Sequence, residues 1–164
     1  MWWRKSAKEW DRDAGEPNRR AFRVVAQQGP PPGLLAYGDG VPIGWCAIAP
    51  RQAFPRLNGS TKLKPVDDAP VWSIVCFYID RDHRGTGVAS VLLDKAVAWA
   101  RTHGATLVEG YPVDSGAARR SNAEMFTGTV GMFDDAGFAE VARRGGRPIV
   151  RKKLPTARTR SRTR

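Results

Sequence analysis

Val71-Trp72-Ser73-Ile74-Val75-Cys76-Phe77-Tyr78-Ile79-Asp80-Arg81-Asp82-His83-Arg84-Gly85-Thr86-Gly87-Val88-Ala89-Ser90 is the stretch whose reading decides the fold. Its first nine residues are rich in β-branched and aromatic side chains, which suits a largely buried strand. Beyond the glycines, Ala89, Leu92, Leu93, Ala96, Val97 and Ala100 recur at the spacing of a core-facing helical stripe. Gly104 is an end signal for that helix, and residues 106–111, TLVEGY, read as a second strand. A strand, glycine loop, helix and strand in this order make the two strands parallel neighbours, with the loop amides gathered at the helix start. Such a helix start attracts anions.

Working outward, Leu34–Tyr37 and Val41–Ile48 flank Gly38-Asp39-Gly40, the pattern of an antiparallel hairpin. Asn18 is the expected cap of a helix running to about Gln28, with Ala21, Val24 and Val25 on one face, and Gly29-Pro30-Pro31-Pro32-Gly33 stops it. Trp2, Trp3 and Trp10 surround a short helical pattern after Ser6 and are expected to pack on the domain or on a partner. Residues 50–70 are irregular apart from a helical turn near 51–54, and residues 112–125, with Arg119 and Arg120, form a second irregular stretch. A short helix over 127–136 and two antiparallel strands, 138–143 and 148–153, close the chain. The fold class expected is mixed α/β: a central, mostly antiparallel sheet with one parallel βαβ crossover and flanking helices. Residues 1–153 are expected to form one domain and 154–164 a basic, disordered tail.

With 164 residues, 41% hydrophobic and 26% charged, the chain has material for one core. No apolar run approaches the roughly 20 residues of a membrane span, and MWWRKSAKEW lacks a leader's apolar stretch, so a cytoplasmic protein with no membrane partner is expected. Cys46 and Cys76 lie in apolar segments and read as buried free thiols; with His83 and His103 they match no zinc spacing, so no metal is expected. The net charge of +11 is uneven: Arg151 to Arg164 holds seven cations and no acid, leaving twenty basic against sixteen acidic residues, or +4, in 1–150. Nucleic acid therefore enters only through the tail.

Gly85 and Gly87 remove side chains that would block an approaching anion, and Arg84 adds a charged donor, so the loop reads as a phosphate or pyrophosphate site. GxxxxGK[ST] is absent, which disfavours a P-loop. A dinucleotide fold is the weaker alternative: Gly85-x-Gly87-x-x-Ser90 lacks the third glycine, although Glu109 lies near a ribose-binding position.

Arg84-Gly85-Thr86-Gly87-Val88-Ala89 resembles the R/Q-x-x-G-x-G/A signature of the GCN5-related N-acetyltransferase (GNAT) superfamily. Residues 132–138, MFDDAGF, and the closing strands are similar too, and the GWC, VWSIVCF and VEGYPVD segments resemble actinobacterial members of unassigned substrate. The likeness extends from about Asn18 to Lys153. It implies acetyl-CoA as co-substrate, with its pyrophosphate on Arg84, Gly85, Thr86, Gly87, Val88, Ala89 and Ser90. Its pantetheine arm would lie on the backbone of Phe77, Tyr78 and Ile79, where the parallel strands splay. It also implies an acyltransferase acting on a primary amine of a small molecule or protein, by direct attack. A homodimer is compatible with it. The family's strand before the first helix has little room here; it is either absent or lies upstream of residue 1.

The family's usual acid is a tyrosine four residues before the G-F of the late helix, where this chain has Phe133, and Phe126 is near the place of its usual asparagine. Glu109 is then the candidate base, with Tyr111 or Tyr78 as acid. Glu109 and Tyr111 share a strand face about 7 Å apart by strand geometry. The other reading pairs Glu109 with an arginine at the strand end. Trp45 and Trp72 are candidates for an aromatic acceptor wall, or for core. Cys76 is read as a core thiol, not as a carrier of the acetyl group. If Phe133 abolishes efficient transfer, the chain is an acetyl-CoA-binding sensor or interaction module.

Overall fold

The computed structural model describes residues 1–114 and 125–155. In chain order these form α1 (Ala7–Arg12), α2 (Glu16–Gln28), β1 (Gly33–Gly38), β2 (Val41–Pro50), α3 (Pro55–Asn58), β3 (Trp72–Ile79), α4 (Val88–Thr102), β4 (Leu107–Gly110), α5 (Val130–Asp135), β5 (Ala139–Arg144) and β6 (Arg147–Lys153). One six-stranded sheet has the order β1-β2-β3-β4-β6-β5. Every neighbouring pair is antiparallel except β3 with β4. This is the mixed α/β sheet with one parallel crossover that the central stretch dictates. Among the described residues no strand precedes α1, and no helix is long and apolar enough to cross a membrane.

Local chemistry sets the ends of these elements. Asp39 and Gly40, at φ of 49° and 80°, make the two-residue turn joining β1 to β2, where paired positive φ matches the twist of the strands. Ser6 and Glu9 form a reciprocal capping box at α1. α2 starts two residues before the expected cap, at Glu16, because Pro17 suits the first helical turn. Asn18 is instead buried inside that turn: its Oδ1 accepts from Lys5 Nζ at 2.8 Å and its Nδ2 donates to the Trp10 carbonyl at 3.0 Å. Val24 is exposed, so the inward side of α2 is carried by Asn18, Ala21, Phe22 and Val25.

The sheet separates two apolar layers. On one face α4 lays Leu92, Leu93, Ala96, Val97 and Ala100 over Cys46, Ile48, Ile74, Val108 and Val150. Gly44 permits the close approach, since a methyl there would stand 3.1 Å from Leu92 Cδ1 and Val88 Cγ1. On the other face Ala49, Phe54, Leu57, Val75, Tyr111 and Ile149 form a second cluster beneath the 51–63 segment. Leu154, just past the expected boundary at 153, is buried against the helix-face core and its N–H bonds to the Thr106 carbonyl at 2.9 Å.

One irregularity decides which side chains meet. The β2–β3 register shifts between Ala47 and Ile48, which pair with Cys76 and Ile74 and leave Val75 as the extra residue of a bulge. An inserted residue inverts the alternation of faces downstream. Trp72 and Ile74 therefore face α4, whereas Val75, Cys76 and Tyr78 face the opposite side.

Candidate active site

β3 and β4 pair only over Trp72–Ile74 and Val108–Gly110. Beyond Ile74, β3 runs on to Ile79 paired, among the described residues, with β2 alone, because the chain after β4 turns away, and residues 125–127 lie near it. Pro112 has no N–H for a ladder, and Val113 bridges to Thr129, donating its N–H to the Gly128 carbonyl and accepting from the Val130 N–H. Arg147 Nη2 holds the diverted segment, donating to the Tyr111 carbonyl at 2.7 Å and to Thr127 Oγ1 at 2.6 Å. The two strands thus open into a wedge.

The backbone at its edge can be assigned. Asp80 N–H donates to the Ile43 carbonyl, so by antiparallel alternation Tyr78 and Cys76 also bond toward β2, and Phe77 and Ile79 present N–H and C=O into the wedge. Arg84 Nε reaches the Ile79 carbonyl at 3.2 Å, consistent with that direction. Gly85 and Gly87 follow at φ of 76° and 86°, and a Cβ on either would meet no protein atom within 4 Å. The open space above them adjoins Val88, Ala89 and Ser90, whose amides have no partner within α4 because they occupy its first turn.

These features line one groove of about 460 Å³, running from Phe77, Tyr78 and Ile79 past Arg84 to the start of α4. Nine of the ten residues expected to hold the donor line it; Thr86 does not, because its hydroxyl turns back to the His83 carbonyl at 2.6 Å. His83, Gly128, Thr129 and Met132 also line it and were not expected there. A Gly-Thr pair heading a short helix was the available signal for the middle two, since Thr129 caps α5 through the Met132 N–H.

A second cavity, of about 540 Å³, opens on the sheet face opposite α4. Trp45 lines it with Phe22, their rings perpendicular at 5.9 Å, and Val75 and Cys76 form its inner end. Cys76 of the cavity and Phe77 of the groove are consecutive residues of β3, and Phe126 borders both spaces. Burial raises the Cys76 thiol above its ordinary pKa, which disfavours the thiolate. Trp72 stands apart, on the α4 side of the bulge, edge-on to Trp99 at 5.4 Å, and lines neither space. The bulge thus separates the two tryptophans that were expected to share a wall.

Glu109 and Tyr111 are brought together, but inside the core and not along the groove. Both are buried, with Glu109 1% exposed. Tyr111 donates to Glu109 Oε1 at 2.6 Å and Arg51 Nη1 donates to the same oxygen at 3.0 Å; Arg151 Nε donates to Oε2 at 2.7 Å. Since the phenol proton is committed to Glu109, Ser73 Oγ donates to Tyr111 at 2.8 Å. Arg51 also bonds the Leu63 carbonyl and Asn58, and Arg151 grips Asp67 with two hydrogen bonds at 2.7 and 3.0 Å. Desolvation, and then the charge of Glu109, push the Tyr111 phenol up, making it a poor acid. Of the two sequence readings of Glu109, the geometry is that of the arginine pair. Phe133, completely buried, packs edge-on against Phe77 and Phe138 and presents no proton. Arg119 and Arg120 lie outside the described residues. Among the described residues no group of three metal-ligating side chains converges.

A sequence model described as the acetyltransferase (GNAT) family matches residues 1–119, almost three quarters of the chain. The chain belongs to the GNAT acetyltransferase family. Solved structures share its fold. The ribosomal-protein-alanine N-acetyltransferase of Brucella melitensis is 18% identical, with a TM-score of 0.55 over 84% of this chain and 77% of its own. The PaiA N-acetyltransferase of Thermoplasma acidophilum, crystallised with coenzyme A, is 15% identical, with a TM-score of 0.53 over 92% and 80%. A putative acetyltransferase of Acinetobacter baylyi is 16% identical, with a TM-score of 0.59 over 87% and 75%. Among curated proteins none matches the sequence significantly. In this GNAT chain the open strand pair and the glycine loop are the parts from which an activity must be built.

Proposed function

We propose that the protein transfers the acetyl group of acetyl-CoA to a primary amine by direct attack. The observation that carries this is the wedge: β3 leaves β4 at Ile74 and exposes the backbone of Phe77 and Ile79 beside a glycine loop with open space above it. The residues present suit acetyl-CoA. The loop from Arg84 to Ala89, with Ser90, would hold the pyrophosphate through the first-turn amides, the helix dipole and the guanidinium of Arg84. Phe77 and Ile79 would hold the amide-bearing arm by strand-like hydrogen bonds, and Phe77 and Met132 would shield the thioester from water. The neighbour crystallised with coenzyme A has the same fold, which supports this choice of donor.

The donor supplies an activated acetyl carbonyl. An amine entering the opposite cavity would reach that carbonyl at Cys76–Phe77, so no covalent enzyme intermediate is required. Its proton would leave to water, and the departing thiolate would be protonated from solvent or by Tyr78, which lines the groove and is 58% exposed. Glu109 and Tyr111 serve by holding the 51–67 segment to β4 and β6.

Gly87→Val tests the donor site. The left-handed φ of Gly87 makes any side chain cost about 1–2 kcal/mol of stability. The new side chain meets no protein atom within 4 Å at its Cβ, so its effect on binding comes through the donor's own space. Calorimetry is expected to show acetyl-CoA affinity reduced at least about tenfold while the variant stays folded. Unchanged affinity would sink the assignment. The buried Phe133 supports a second reading, a sensor that binds acetyl-CoA without turnover; binding with no thiol release across an amine panel would favour it.

A further inference from the structure

The cavity opposite α4 has a composition that selects its occupant. Seven aromatic side chains line it, and its charged groups among the described residues are the Arg4 guanidinium and the Met1 α-ammonium. Arg4 lies over the Phe54 ring at 4.9 Å and has no anionic partner among the described residues. Arg4 is half-buried, and that burial lowers its pKa. Trp3, in the same turn, has a buried indole Nε1–H with no acceptor. Arg4 and Trp3 thus lack an acceptor among the described residues, in a wall that also holds Trp10, Phe22 and Trp45. No carboxylate among the described lining residues offsets these positive charges or offers a place for a further one.

We infer that the acceptor is a small aromatic amine bearing a carboxylate, an aromatic α-amino acid or a close analogue. This rests on the transfer activity proposed above. The ring lies among Trp10, Phe22 and Trp45, and the carboxylate takes the hydrogen bonds that Arg4 and Trp3 Nε1 leave unmade. The amine faces Cys76, the chain neighbour of Phe77 in the donor groove. There the neutral nitrogen forms a C–N bond with the acetyl carbonyl carbon as the C–S bond breaks. The nitrogen gives up a proton to water and the sulfur takes one, leaving an amide and free coenzyme A. A cavity of about 540 Å³ is the size of an ordinary small-molecule site. An aliphatic polycation would bring charge to Arg4 and find no acid, and a peptide backbone would need polar partners that an aromatic cage does not supply.

Thiol release from acetyl-CoA should be measured with tryptophan, tryptamine, spermidine and a lysine-containing peptide. Tryptophan and tryptamine differ only in the carboxylate, and kcat/KM is expected to favour tryptophan at least about tenfold, the worth of one charged hydrogen-bonded contact. Arg4→Met should collapse that ratio toward one. Trp3→Phe, which keeps an aromatic ring and removes the N–H, should lower it by a smaller factor. Preference for spermidine or the peptide overturns this inference and leaves acetyl transfer standing, as does a ratio unaffected by Arg4→Met. If no amine releases thiol, acetyl transfer fails as a function and the cavity is judged by calorimetry. Tryptophan binding that Arg4→Met weakens then upholds the site, and no binding at millimolar tryptophan overturns it.

Discussion

Glu109 is a buried carboxylate held by two guanidiniums that arrive from opposite directions, Arg51 after β2 and Arg151 across the β4–β6 ladder, where it is the direct cross-strand partner. Removing the central charge leaves both cations facing each other in a dry site. Glu109→Gln is therefore expected to cost about 3–5 kcal/mol in denaturant unfolding, the penalty of breaking a buried pair. Activity should be lost only in proportion to unfolded protein; a stable variant with at least tenfold lower turnover would return Glu109 to the chemistry. The phenol beside it makes stability pH-dependent. Its folded pKa is raised, so its contribution is complete below the ordinary tyrosine value of about 10 and is lost as pH rises above that. Cys46 and Cys76, also raised by burial, start the same loss near the ordinary thiol value of about 8.5. Melting temperatures from pH 7 to 11 should fall accordingly, and Tyr111→Phe should melt lower at pH 7 but decline less steeply above about 10. Asp67 has the opposite sign: hydrogen bonds from Arg151 hold its carboxyl below the usual value, and its contribution disappears only as pH falls below that value.

At the scale of elements, α5 shows how packing overrides a family pattern. The Phe133 ring abuts the backbone of Gly110 closely enough that a methyl there would collide with it, and Phe77 and Phe138 close its sides. The tip where a tyrosine would carry its hydroxyl points into this contact. Phe133→Tyr is thus expected to bury an unsatisfied hydroxyl, costing about 1–3 kcal/mol in thermal or chemical unfolding, without a gain in turnover. Raised turnover would show that the ring can swing toward the thioester. The α4 unit is the contrasting case. Its apolar stripe, its glycine start and its end near Gly104 are all local in sequence, and the helix runs Val88–Thr102 as its periodicity dictates. The β1–β2 turn is equally local, because Asp39-Gly40 supplies both left-handed residues where the hairpin needs them. The start of α2 is less legible in its pattern, since Pro17 outcompetes Asn18 for that place and frees the asparagine to join Lys5 and Trp10.

For the whole molecule, one sheet separates two spaces, with α4 and the groove against one face and the aromatic cavity against the other. The chain end is part of that core: a protein ending at Lys153 is expected to melt several degrees below one ending at Pro155, because it lacks the buried Leu154 side chain, worth about 1.5–3 kcal/mol, and its bond to Thr106. Equal melting temperatures would return the boundary to 153. The amino-acid sequence by itself determined the parallel crossover, the glycine loop and the strand edge that follows from it. Those depend on residue types a few positions apart, where steric and helix-end effects act directly. Only the tertiary structure decided the partners of Glu109, which lie 58 and 42 residues away, and the separation of Trp45 from Trp72. The assembly of Trp3, Arg4, Phe22 and Cys76 around one cavity belongs to the same class. A single bulge at Val75 inverts which side chains share a face, and burial makes isolated charges seek whichever partner the packing brings near. Neither effect is encoded in the spacing of nearby residues.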